Sequence, residues 1–322
     1  MGVPEGEPDP GLFGPASVTW QLHSDPVMWI GGVRALYLQA LHPRAVRGVM
    51  QNSDFRADAW GRLMRTAAFV GTVTYAATPA AERAGARVRG VHRRLRAVDP
   101  ATGDRYRVDE PALLLWVHCA EIDSYLHVAR RSGLTIPDAY ADAYIREQRT
   151  AARLVGLDPA AVPGDTADLA AYFARVNPEL AATPESADVD AFLRRPPVNP
   201  LLVPARRLLW RRVAALAYAS LPETAHRLYG RPAPPPAVVD RRLRATAALL
   251  RAVPAALRWR LPPRNILKAM DRLGPASRPS PSTLVRTAAI LDESGDKATG
   301  NSHEGRRGGD SGGGRGRWRR PG

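Results

Sequence analysis

The stretch Pro111-Ala-Leu-Leu-Leu-Trp-Val-His118-Cys-Ala-Glu-Ile-Asp-Ser-Tyr-Leu-His-Val-Ala-Arg-Arg131 decides the fold. Glu110-Pro111 places a proline at the first helical position, where its missing N–H costs nothing, and Ser132-Gly133 supplies the stop. The 21 residues between are apolar on most faces, as expected of a helix packed inside others. His118 stands in that apolar run, so it is expected to be buried, with Glu121 and Tyr125 on nearby faces of the same helix.

Working outward, the chain repeats this grammar. Asp25-Pro26 opens a helix through about Leu41, with Trp29, Val33, Leu36, Tyr37 and Ala40 on one face. His42-Pro43 breaks it, and a short continuation runs to about Gln51. Asn52-Ser53-Asp54 is a turn and cap signal before a helix over 57–76. Thr78-Pro79 opens another, to about Val98. The polar run Asp99–Glu110 can hold a short two-stranded hairpin. After the 111–131 helix, Pro137 opens one to Leu154, stopped by Gly156. Further helices are expected over 165–176, 188–195, 201–220, 222–229, 236–260 and 264–273. Strand-like alternation is not sustained outside 103–109. The fold class is therefore all-α: one large domain of about ten helices over 15–275, with a flexible N-terminus (1–14) and a disordered Arg/Gly-rich tail (276–322).

The bulk properties remove several functions. The chain has 322 residues and a formal charge of +15, from 46 basic and 31 acidic residues. Only Lys268 and Lys297 are lysines, so the positive charge is arginine spread over many helices rather than one basic face, and no specific nucleic-acid partner is expected. One cysteine, Cys119, excludes an intramolecular disulfide, and no C-x-x-C-H run offers covalent haem attachment. No stretch is apolar enough to cross a membrane, and the acidic, Pro/Gly-rich N-terminus lacks the pattern of a signal peptide. The expected location is the cytoplasm. No P-loop, G-x-G-x-x-G after a strand, H-E-x-x-H or G-x-S-x-G motif is present.

Arg62, Arg65 and Thr66 fall three and four apart on one helix, so they project on one stripe that continues into Phe69, Val70 and Val73. Arginines running into an apolar stripe need an anion. An internal carboxylate such as Asp123 or Glu147 is one solution, and an anionic cofactor is another. His92 and His118 supply imidazoles from two later helices. The arginines around His92 (Arg89, Arg93, Arg94, Arg96) should keep it neutral, as metal ligation requires. His42, at a helix break, is a third imidazole, while His23, His226 and His303 read as surface or structural residues. Haem suits this set, because its iron takes an axial imidazole and its propionates want arginine. A non-haem iron site of His92, His118 and an acid is the alternative.

The ordered blocks Leu41-His-Pro, Gly48-Val, Ser53-Asp-Phe, Arg62-Leu-Met-Arg-Thr66, Val91-His92, Trp116-Val-His118 and Tyr144…Glu147…Leu157 resemble the oxygenase family of the rubber oxygenase (latex clearing protein) catalytic domain and the fungal mycophenolate-pathway oxygenase. The resemblance covers roughly residues 12–260. It implies an all-α fold binding haem b without covalent linkage, and O2 as co-substrate. The family's R-x-x-K-T stretch, which lines the haem and offers its lysine as distal ligand, matches Arg62, Arg65 and Thr66. Its proximal histidine looks like His92, the expected metal ligand, and a second histidine looks like His118. Arg65 departs from the family lysine, and a guanidinium is a very poor iron ligand, which leaves the sixth position open or water-filled. The family also carries a glutamate base upstream, whereas residues 35–53 hold no Asp or Glu; His42 is the available stand-in. The implied function is haem-b-dependent oxidation of a small apolar substrate, prenyl or lipid-like. The rivals are a non-catalytic haem or lipid binding protein and the non-haem iron oxidase.

Overall fold

A computed structural model describes residues 8–53, 55–195, 203–260 and 264–280. Among them are fourteen α-helices and one two-stranded sheet. The expected all-α class holds.

The first four helices are α1 (Val18–His23), α2 (Met28–Gln39), α3 (Pro43–Gln51) and α4 (Phe55–Tyr75), followed by α5 (Thr78–His92). The hairpin β1 (Arg96–Val98) and β2 (Arg105–Arg107) leads into α6 (Pro111–Arg131) and α7 (Asp138–Val155). The chain continues with α8 (Thr166–Val176), α9 (Pro184–Arg194), α10 (Val203–Ala219) and α11 (Glu223–Leu228). It closes with α12 (Pro236–Ala252), α13 (Ala255–Arg258) and α14 (Asn265–Leu273). Helices α2 and α6 form the central pair, with α10 on α2 and α12 on both α6 and α10. Helices α4 and α5 are sequential partners, α5 also meets α7, and α14 rests on α4. The main core takes residues from α1–α3 and from α6–α12.

The α2–α6 contact is close because Gly31 has no side chain. A Cβ there would lie 2.8 Å from Tyr125 Cδ1 and 3.2 Å from the Ser124 carbonyl oxygen. Gly31→Ala is therefore expected to cost about 1–3 kcal/mol of stability by forcing the pair apart, read as a lowered urea midpoint; an unchanged midpoint would show that the helices slide freely.

The departures from the sequence reading have local causes. α5 stops at His92 rather than near Val98, because Ala97 pairs with Tyr106 in the hairpin and both bury against Leu113. α9 starts at Pro184 rather than 188: Thr183 and Ser186 form a capping box ahead of it. The helix expected over 236–260 is interrupted because Pro254 holds Val253 extended. α1 has no counterpart in the sequence reading. Asp58 is non-helical within α4 (φ −137°, ψ 46°), and its carboxylate caps the following turn by accepting the Gly61 N–H at 3.0 Å.

Both expected loose ends are partly held. Residues 1–7 lie outside the described residues, but the Asp9 carboxylate accepts from Thr78 N and Oγ1 at 2.7 and 2.9 Å, and Arg272 donates to the Asp9 carbonyl. Within 276–280, Ser277 O accepts from Trp20 Nε1 at 3.0 Å and Ser280 N donates to Gln21. Residues 281–322, with His303, lie outside the described residues.

Candidate functional site

α4 and α5 join through the short turn at Ala76-Ala77, and this hairpin sets Arg62, near the start of α4, beside His92, the last residue of α5. Arg62 is half-buried and has no carboxylate partner among the described residues. Burial, with the like charge of Arg65, lowers its pKa. The internal acids that might have neutralised it are engaged elsewhere. Asp123 pairs with Arg34 at 2.7 Å, and Glu147 accepts the backbone N–H groups of Val18 and Thr19 at 3.0 and 2.8 Å.

His92 is half-buried, and its Nδ1 is buried with no hydrogen-bond partner. Its pKa is lowered by burial, which outweighs an upward pull from Asp109; the like charge of Arg62 adds a smaller lowering. The flanking arginines expected to do this are turned to other tasks: Arg89 donates to the Leu154 carbonyl, and Arg96 to those of Arg93 and Leu95. The space above Gly90 is open, and neighbouring Val91 is exposed.

His118 is buried in α6, and its Nε2 is closed off from solvent without a partner. Burial pushes its pKa down to about 4, so the ring is neutral at pH 7. One turn on, the Glu121 carboxyl is shielded from water, hydrogen-bonded to Tyr125, and pushed up to about 7 by that burial. Beyond it, His23 accepts or donates at both ring nitrogens, to Thr74 Oγ1 at 2.9 Å and Tyr144 Oη at 3.0 Å, with the Tyr125 ring 5.1 Å away. His23 is therefore an interior residue and not a surface one. Its helix, α1, is only six residues long, too short to show a period.

The remaining expected site residues fall elsewhere. Arg65 is exposed and pairs with the exposed Asp58 at 2.9 Å. Thr66 is exposed, its hydroxyl bonded back to the Arg62 carbonyl at 3.2 Å. His42 is buried, its Nε2 3.6 Å from Glu179 and its ring 6.0 Å from Trp116. Trp116 and His118 are two residues apart on α6, about 200° around the helix, so His42 packs on the far side from His118. Among the described residues no three His, Cys, Asp or Glu side chains converge to hold a metal ion. The three-ligand iron site of His92, His118 and an acid is thus not assembled: the two imidazoles come without a converging carboxylate.

Glu121 and His118 tilt stability with pH in opposite directions. The folded pKa of Glu121, about 7, lies above its ordinary value of 4.5. Below pH 4.5 the carboxyl is protonated in both states. Between 4.5 and about 7 the unfolded chain releases the proton first, so stability falls as pH rises, by at most about 3 kcal/mol. His118 does the reverse: its folded pKa, about 4, lies below 6.5, so stability is lost as pH falls from 6.5 towards 4. Glu121→Gln is expected to raise the urea midpoint at pH 8 and leave it nearly unchanged at pH 4.5. An equal shift at both pH values would rule out a raised carboxyl.

The described residues thus give an all-α body with an arginine lacking a carboxylate partner beside one neutral imidazole, and a second buried imidazole on the central helix. Residues 20–252 match the family described as ER-bound oxygenase mpaB/B'/rubber oxygenase, catalytic domain, and the chain belongs to that family of oxygenase catalytic domains. No curated protein and no solved structure matches it. Among the described residues no helix is long and apolar enough to cross a membrane.

Proposed function

We propose that this chain is a haem-b-dependent oxygenase acting with O2 on a small apolar substrate, prenyl or lipid-like. The observation that carries the reading is that two of the buried imidazole nitrogens without a partner, His92 Nδ1 and His118 Nε2, belong to the histidines matched to the family's own (His42 Nδ1 and both nitrogens of His226 are also unpartnered), in a member of an oxygenase family. A buried polar atom left unpaired costs about 1–3 kcal/mol, and a chain keeps such atoms where a ligand completes them.

The residues present suit haem. His92 would hold the haem iron, being neutral, at a helix end and beside open space. Arg62 lacks an internal anion and is free to hold a propionate. His118, also neutral, offers a second imidazole from α6. Haem supplies O2 binding and oxidation, while the chain orients the ring, excludes water and fixes the protonation state of its imidazoles. Arg65 and Thr66 are exposed one turn beyond Arg62, where they are open to a substrate's polar end.

The test is the absorption spectrum of the purified chain after reconstitution with haemin, with the haem content assayed. One haem b per chain and a Soret band are expected, together with O2 uptake when reductant and a prenyl compound are present. A chain that retains no haem through gel filtration overturns the reading. A chain that retains it but never consumes O2 is a carrier.

A further inference from the structure

A cavity of about 730 Å3 opens between α10, α12 and the buried face of α2. It shares no lining residue with the α4–α6 site. Its floor is apolar, made by alanines of α10 with Leu216, Val239 and Pro234, and the size is that of an ordinary small-molecule pocket. Its walls carry five arginines: Arg194, Arg211, Arg212, Arg231 and Arg242.

These arginines are under-neutralised. Asp190 takes two of them, Arg231 at 2.5 Å and Arg194 at 3.3 Å. Arg211, Arg212 and Arg242 have no carboxylate partner among the described residues. Tyr37 also lines the cavity: it is wholly buried, yet its hydroxyl forms no hydrogen bond of good geometry, with the Arg231 guanidinium as a nearby donor. Arg231 is itself held in place, stacked 3.9 Å over the Tyr218 ring. A rigid cation, a buried hydroxyl beside it and three unpaired guanidinium groups thus line an apolar hollow. Guanidinium forks match carboxylate and phosphate oxygens, and the hollow matches a hydrocarbon chain.

We propose that this cavity binds a single-chain anionic amphiphile, a hydrocarbon tail bearing a terminal carboxylate or phosphate, with the tail against α10 and α12 and the head among Arg211, Arg212 and Arg242. The site is independent of the haem reading, because none of its residues belongs to the haem site.

The experiment is calorimetric titration of the full chain, with and without haem, below the critical micelle concentration. The probes are dodecyl phosphate, laurate, dodecanol and inorganic phosphate. Saturable binding of one or both anionic amphiphiles is expected, at least about tenfold tighter than dodecanol or inorganic phosphate. Arg211→Gln/Arg212→Gln/Arg242→Gln should weaken it at least about tenfold. All three positions are exposed, so the fold should survive, as circular dichroism would check. Ala245→Trp, which fills the hollow without touching charge, should abolish it. The proposal is overturned if dodecanol binds as tightly as the anions, if inorganic phosphate alone accounts for the signal, or if the triple variant and Ala245→Trp both bind normally. It is also overturned if binding depends on His118 or on haem, which would place the ligand in the α4–α6 site.

Discussion

Arg34→Ala is expected to lower the unfolding free energy by about 3–5 kcal/mol, the cost of removing one partner from a buried ion pair. Arg34 lies in the middle of α2 with its side chain 3% exposed. One guanidinium nitrogen donates to both Asp123 Oδ2 and Ser124 Oγ at 2.7 Å, and Nε donates to the Ser220 carbonyl at 3.0 Å. A single side chain therefore ties α2 to α6 and to the turn that ends α10. Its loss leaves a carboxylate, a hydroxyl and a carbonyl without their donor, and a hole between the two central helices. Arg34→Lys should recover only part of the loss, because an ammonium cannot span the three acceptors that the planar fork reaches. Asp123→Asn should cost less, since that carboxylate is 30% exposed and water can replace it. Urea unfolding reads all three: the midpoint should drop while the slope stays constant. A loss under about 1 kcal/mol for Arg34→Ala would mean that the contact is no stronger than a surface pair.

The same arginine shows what a sequence conveys and what it withholds. The bounds of α6 are legible because proline and glycine act through local sterics at Pro111 and Gly133, where φ is +91°. The break at His42-Pro43 is legible for the same reason. Those rules need no knowledge of the rest of the molecule. Whether Arg34 or Arg62 finds an anion is a different kind of fact. Asp123 reaches Arg34 only because α2 and α6 lie side by side, and that pairing leaves Arg62 alone.

Periodicity put Arg62, Arg65 and Thr66 on one stripe, but exposure depends on what covers each turn, and only Arg62 is shielded. His23 could be read only as surface or structural because α1 is too short to carry a pattern; its bonds to Thr74 and Tyr144 make it structural. Equally, Arg194, Arg211, Arg212, Arg231 and Arg242 read as scattered helix-surface charge. They line one cavity only because α9, α10, α12 and the Arg231 turn converge in space.

His92→Ala is expected to lose the Soret band and to release haem on gel filtration, whereas His118→Ala should keep haem bound with a shifted spectrum. The asymmetry follows from the two settings. His92 closes α5, half-buried, beside unfilled space and next to Arg62, a cation with no carboxylate partner among the described residues. Arg62 would pair with a propionate and His92 would hold the iron of the same group. His118 sits in the middle of α6 with little freedom to shift, so it contributes a wall and a neutral nitrogen rather than the anchor. Added imidazole separates loss of a ligand from loss of the fold: it should restore the band in His92→Ala by occupying the vacated position, and do nothing for a misfolded chain. Arg62→Gln should weaken haem retention about tenfold while leaving the band position unchanged, because it removes a charge-assisted pair and not the axial ligand. If His118→Ala is instead the variant that loses haem and is rescued by imidazole, the axial role passes to α6. Arg62→Gln would then be expected to have little effect on retention, because the charge beside His92 would no longer border the bound group.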